Sequence, residues 1–125
     1  FASSPGAMTP GAPAADAPVE GGEGQWLLGY LGGTFTLLAF DAAIDPAEIA
    51  SLANDRIGCR VVGIGESTLR GTEQLDDVQG VARRRYDARP GTVYLIRPDQ
   101  HVCARWREFD LDRVRAAISR ASSNS

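Results

Sequence analysis

The sequence predicts a mixed α/β domain, and three observations carry that expectation. Residues 34–40, Thr34-Phe35-Thr36-Leu37-Leu38-Ala39-Phe40, form a β-branched and aromatic run that is apolar nearly throughout. Residues 92–106 read as a β-hairpin, with two extended runs joined by the turn signal Pro98-Asp99-Gln100. Helical start signals stand at Asp45-Pro46-Ala47-Glu48 and at Asp110, each followed by apolar residues at helical spacing.

The elements follow in order. Residues 1–24 are rich in Pro, Gly, Ala and Ser, and alone they bury too little apolar surface to offset their ordering entropy. They read as a linker, a disordered tail, or an extended arm lying along a larger partner; Pro5, Pro10, Pro13 and Pro18 favour an extended path in each case. Residues 25–30 form a short helix or turn, ended by Leu31-Gly32-Gly33. The strand at 34–40 comes next, and its continuous apolarity marks a central strand covered on both faces. Asp45 caps a helix, Pro46 fits its first position, and Glu48 takes the capping-box position. That helix runs to about residue 54 and buries Ile49 and Leu52.

A second strand covers 59–64, and 65–73 is polar and loop-like. Residues 75–86 read as a helix with Leu75, Val78, Ala82 and Tyr86 on one face. Asp76-Asp77 at its start and Arg83-Arg84-Arg85 at its end suit the helix dipole, which accounts for both charge clusters without an anion site. In the hairpin, residues 92–96 are apolar on both faces, whereas 101–106 alternate as an edge or one-sided strand would. A last helix, 110–121, carries Leu111, Val114 and Ile118 inward, and 122–125 is a frayed end.

The order is β-α-β-α-β-β-α. Its first two strands need a helical crossover and are therefore parallel, and its last two form an antiparallel hairpin. That is the thioredoxin layout. Pro90 occupies the place where such folds carry a cis proline, and Asp41-Ala42-Ala43 occupies the place of their two redox cysteines. Without that pair, thiol–disulfide exchange has no accessible thiolate beside a resolving thiol.

The bulk numbers set limits. At 125 residues the chain is one domain, with residues 25–121 as its body. A formal net charge of −3 gives no reason to expect nucleic acid, and all 13 basic residues are Arg. Cys59 and Cys103 lie far apart in apolar runs and read as buried free thiols, with no Cys-x-x-Cys for redox or zinc. No apolar run approaches a membrane span, and no secretory leader is visible, so a cytoplasmic location is expected. The chain begins at Phe1, not Met, which reads as a piece of something longer. Gly63-Ile64-Gly65-Glu66-Ser67 lacks the third Gly of a dinucleotide loop, and His101, the only histidine, has no recognisable catalytic partner. Phe1, Trp26, Tyr30 and Trp106 are candidates for a sticky surface, set against the alternative that Trp26 and Trp106 simply cap the core.

The stretch Pro90-Gly91-Thr92-Val93-Tyr94-Leu95-Ile96-Arg97-Pro98-Asp99-Gln100-His101-Val102-Cys103-Ala104-Arg105-Trp106 closely resembles the end of FAD-dependent aromatic hydroxylases, the flavoprotein monooxygenases that include phenol hydroxylase and 3-(3-hydroxyphenyl)propionate hydroxylase. Gly33-Thr34-Phe35-Thr36-Leu37-Leu38 resembles the first strand of their C-terminal domain, and the Pro-Gly…Ala-Pro stretch of residues 10–18 the segment leading into it. Asp77-Val78-Gln79-Gly80 and Tyr86-Asp87-Ala88 fit the family's helix before the hairpin. The resemblance implies a thioredoxin-like C-terminal domain without redox cysteines, in a parent that hydroxylates phenolic rings with FAD, NAD(P)H and O₂. In the family, flavin and substrate belong to two preceding domains; their Gly-x-Gly-x-x-Gly, Asp-Gly and Gly-Asp motifs are absent here in matching context. No catalytic, flavin-binding or metal residue is therefore carried over. The implied partners are those flavin and substrate domains, with a homodimer left open and neither nucleic acid nor membrane expected. One departure is Gln100, where many relatives have Gly; it puts the usual turn geometry in question.

Three roles compete. As an accessory domain of a flavin hydroxylase, the chain has an arm ordered only against the flavin domain or another copy. As a free-standing redox-inactive binding or dimerisation module, it has a complete polar surface. As a redox enzyme built on Cys59 and Cys103, it has an exposed thiol of lowered pKa.

Overall fold

The structure, a computed structural model, describes residues 9–21, 25–65 and 73–123. Its centre is a six-stranded sheet in the order β1-β4-β3-β2-β5-β6. The strands are β1 (Val19–Glu20), β2 (Phe35–Phe40), β3 (Cys59–Ile64), β4 (Glu73–Asp77), β5 (Val93–Ile96) and β6 (Val102–Trp106). The helices are α1 (Pro46–Asn54), α2 (Val81–Arg85) and α3 (Leu111–Ser123), with 3-10 turns at Leu27–Tyr30 and Val78–Gly80. β2 pairs in parallel with β3, and β3 in parallel with β4. β5 runs antiparallel to both β2 and β6.

The local chemistry of the expected elements holds. β2 and β5 are buried at every position, as their continuous apolarity requires. The Asp45 carboxylate accepts the Ala47 N–H at 2.9 Å with Pro46 in the first turn of α1, and Asp110 accepts the Arg113 N–H at 3.1 Å to start α3. α3 continues through Ser123, so the expected fray point at 122 lies inside the helix.

Alternation along the strands sorts the core into two faces. Phe35, Leu37 and Ala39 of β2 meet Ile49 and Leu52 of α1 and Val114, Ala117 and Ile118 of α3. Leu38 and Phe40 turn to the opposite face. That face is covered by Ala14, Ala17 and Val19, by Leu27, Tyr30 and Leu31, and by Ala82 and Tyr86 of α2. Full burial of a Leu side chain is worth about 1.5–3 kcal/mol, so neither face is stable bare.

Two expectations are corrected. The helix expected over residues 75–86 is instead β4, a 3-10 turn and the short α2. Only Leu75 of β4 is buried, and the strand is held by its parallel ladder to β3. Positive φ at Gln79 (55°) and Gly80 (68°) breaks the path before α2 begins. Asp77 then does the capping, accepting the N–H groups of Ala82 (2.8 Å) and Arg83 (2.9 Å). The second correction concerns the arm. Over residues 9–21 it is ordered against its own domain: β1 pairs with β4, Pro13 bridges to His101, and Ala17 is fully buried. Small side chains are the reason, because Ala and Pro let the backbone lie close to the sheet.

Two polar devices fix this cover. The Tyr94 hydroxyl donates to Tyr86 O at 2.5 Å, and the Tyr86 hydroxyl donates to Ala15 O at 2.5 Å. The hairpin supplies the other. Gln100 takes φ 65°, the left-handed conformation that Gly tolerates best, at the end of the Arg97–Gln100 turn. Its amide offsets that strain by donating to Leu28 O (3.0 Å) and Leu31 O (3.2 Å). The departure at this position therefore keeps the turn geometry and adds a tie. The Pro90 peptide bond is trans, since no cis bond occurs among the described residues.

Two substitutions test these ties by urea denaturation. Tyr86→Phe leaves Ala15 O without its donor and is expected to cost about 1–3 kcal/mol. Gln100→Ala keeps the strain and loses both bonds, costing about 1–3 kcal/mol, whereas Gln100→Gly recovers roughly 1 kcal/mol of that through relief of the backbone. Equal losses for Ala and Gly would show that the positive φ stores no strain.

Candidate functional site

The place to look for chemistry is the C-terminal end of β2, where the expected redox pair would stand. Asp41 leaves the strand with φ 48°, and its N–H donates to Ile64 O at 2.9 Å. Its carboxylate receives Arg83 Nη2 at 2.9 and 3.1 Å. The Asp41 side chain is 11% exposed and that of Arg83 44%, so the pair contributes about 1 kcal/mol or less. Gly65 must be glycine here: an added Cβ would sit 2.3 Å from Asp41 Oδ1. Ala42 is buried, Ala43 exposed, and Ile44 turns back into the core before α1. Together with Glu48, Pro90, Gly91, Glu108 and Phe109 they line a shallow depression. Its lining holds no thiol, hydroxyl or imidazole side chain; its ionisable groups are the carboxylates of Asp41, Glu48 and Glu108.

The two cysteines stand elsewhere. Cys59 on β3 is buried, Cys103 on β6 is half-buried, and both are free. The sheet order puts two strands between them, a separation of roughly 14 Å at normal strand spacing and beyond any disulfide. Burial pushes the Cys59 thiol up to about 12, against the smaller opposing effect of a hydrogen bond with the Leu37 backbone. Cys103 is also raised by burial, although Arg97 and Arg120 pull the other way. A redox enzyme built on these cysteines needs a lowered thiol; both are raised, and that reading is set aside.

The remaining candidates resolve into local structure. His101 Nδ1 lies 3.0 Å from Asp99 O and 3.4 Å from Asp99 Oδ1, at the exposed hairpin turn. Gly63 and Ile64 lie within β3, while Glu66 and Ser67 fall outside the described residues. The Arg cluster is divided among three partners. Arg83 pairs with Asp41, Arg84 donates to Gln79 O at 2.8 Å, and Arg85 donates to Asp16 O at 2.7 Å. No group of three or more His, Cys, Asp or Glu is placed to hold a metal among the described residues. Likewise no helix among them is long and apolar enough to cross a membrane.

The aromatic candidates separate clearly. Tyr30 is buried, Trp106 packs half-buried against the α1/α3 face, and Phe1 lies outside the described residues. Of the three that are described, only Trp26 is open, at 54% exposure.

A parallel β2-α1-β3 unit, an antiparallel hairpin and a closing helix make a thioredoxin-like domain, and its two cysteines lie on β3 and β6, outside the β2–α1 turn. Among solved structures, a thiol:disulfide interchange protein DsbE from Chlorobium tepidum is similar at 17% identity and TM-score 0.68, over 92% of this chain and 99% of that one. The flavin-dependent monooxygenase PieE, in complex with FAD and substrate, is similar at 24% identity and TM-score 0.67. Aklavinone-11 hydroxylase, with FAD and aklavinone, follows at 23% identity and TM-score 0.62. The match covers 91% and 83% of this chain, but only 20% and 19% of those two. The chain thus spans about a fifth of each flavin enzyme. No curated protein matches. Residues 18–121 match the family model described as the HcaD C-terminal domain, and the chain belongs to that family.

The buried thiol gives a pH prediction. The folded Cys59 stays protonated up to about 12, whereas unfolding returns it to its ordinary value of 9.0. The unfolded state then releases a proton that the folded state keeps, so stability falls as pH rises from about 9 to 12, by up to roughly 1.4 kcal/mol per pH unit. Cys59→Ala should flatten the slope of denaturation free energy against pH in that window. An unchanged slope would contradict the assignment.

Proposed function

We propose that this chain is the non-catalytic C-terminal domain of a FAD- and NAD(P)H-dependent hydroxylase of phenolic rings. In that parent it supplies packing, stability or subunit contact, and the flavin and substrate domains are its partners. The observation that carries the reading is the turn after β2: Asp41, ion-paired to Arg83, and Ala42-Ala43 stand there on a complete core, while both cysteines lie on β3 and β6. Membership in a family described as a C-terminal domain supports it. So does likeness to two flavin monooxygenases of which the chain spans about a fifth. Ring hydroxylation would then take place entirely outside this chain, in a cytoplasmic enzyme; fold likeness alone would not establish that.

A second reading, a free-standing redox-inactive binding module, draws on one observation: the chain covers 99% of the DsbE-like structure, so this fold also exists without flavin domains.

The test compares this chain with the whole protein read from its gene. The chain alone is expected to be colourless and inert toward NAD(P)H, and the whole protein yellow and active in phenol-dependent NAD(P)H oxidation. Flavin bound by the chain alone, or a gene encoding no flavin domain, would overturn the proposal.

A further inference from the structure

The charged and reactive groups are largely absorbed by local structure, but one feature is not. Trp26 and Ile57 are the exposed large apolar side chains among the described residues. Ile57 stands two residues after Asp55, which forms a two-pronged ion pair with Arg115, and lines a cleft with both and with Ile118. Trp26 is different. Its backbone is extended (φ −128°, ψ 137°) and bridged to Pro18. On either side, Val19 N–H donates to Gln25 O and Leu27 N–H donates to Ala17 O, each at 2.9 Å. Ala17, Val19 and Leu27 are anchored in the core. The indole is therefore presented to solvent from a fixed backbone at a large cost in exposed apolar area. A half-exposed Trp on a fixed backbone has little backbone ordering entropy left to lose, which suits an interface anchor.

We infer that Trp26 is the anchor by which this domain docks on the flavin-binding part of its own polypeptide. The inference rests on the accessory-domain reading and adds the surface to it. The occupant follows from length and path. If the parent matches its structural neighbours, about four-fifths of the polypeptide lies outside this chain. In a C-terminal domain that remainder joins at the N-terminal side. The described chain enters at the hairpin, with Gly11 N–H on Val102 O at 2.7 Å, and lies over the sheet through residue 21; Trp26 is bridged back to Pro18 of that strap. Trp26 thus lies on the segment that leads directly from the preceding domain. The partner surface should be a dry apolar or aromatic pocket, because the indole offers one N–H donor and a large apolar body.

Hydroxyl-radical footprinting read residue by residue by mass spectrometry tests this without a variant. Trp26 should oxidise readily in the 125-residue chain. In the whole flavoprotein its oxidation should fall about fivefold or more, as a half-exposed residue becomes buried. Trp106, already half-buried, should change little by comparison. Equal oxidation of Trp26 in both proteins, with the whole protein yellow and active, overturns the docking site and leaves the accessory-domain reading standing. Protection that disappears on dilution assigns Trp26 to contact between two copies and overturns the occupant. A whole protein without flavin overturns both readings together.

Discussion

Two tyrosine hydroxyls hold the structure's less conventional half together. Tyr94 on β5 donates to the backbone at Tyr86, and Tyr86 donates across to Ala15 on the arm. Their rings, with Phe40, form a tilted and edge-on cluster at centroid distances of 5.1–6.3 Å beneath that arm. Burial raises the pKa of both hydroxyls, so they remain donors at any physiological pH. The cover of that face leans on this chain of contacts, because among the described residues no long helix lies over it. A strap of Ala, Pro and Val does the work that α1 and α3 do opposite. Asp16 reinforces the strap, accepting Leu28 N–H at 3.0 Å while its backbone carbonyl takes Arg85.

How much of this could be read from residues alone depends on which force decides each element. Hydrophobic continuity decides β2 and β5, and their runs are unambiguous. Capping chemistry decides α1 and α3, and Asp45-Pro46 and Asp110 state it openly. β4 is decided by pairing with β3, a tertiary effect that leaves only Leu75 as an apolar mark. The spacing of Leu75, Val78, Ala82 and Tyr86 mimics a helix because the strand, turn and short helix still bury Leu75, Ala82 and Tyr86 and half-bury Val78. Gln79 and Gly80 carried the better signal, as a break. The order of the arm is hidden from composition for a related reason. Composition measures what a segment buries by itself, and Ala17 and Val19 bury only against a sheet already present.

The site was legible mainly as a substitution. Asp41-Ala42-Ala43 can be placed after β2 from the element order, and the lack of a thiol there follows from residue type. What residues alone did not show is that Arg83 closes over Asp41, that Gly65 is required by the approach of that carboxylate, or that each arginine of the cluster has its own partner. Gln100 is the most instructive case. The sequence marks an unusual residue at a turn; only the fold reveals that its amide ties the hairpin to the 3-10 segment 69 and 72 residues away.

The central physical claim is that the arm belongs to the cooperative core. Native-state hydrogen exchange measures this directly. The amides of Ala14, Val19 and Leu27, bonded to Gln100, Gln25 and Ala17, should exchange with the same free energy as those of Leu37 and Leu38 in β2. Exchange of the arm amides near the unprotected rate, with β2 still protected, would show the strap to be a loose attachment and contradict the account.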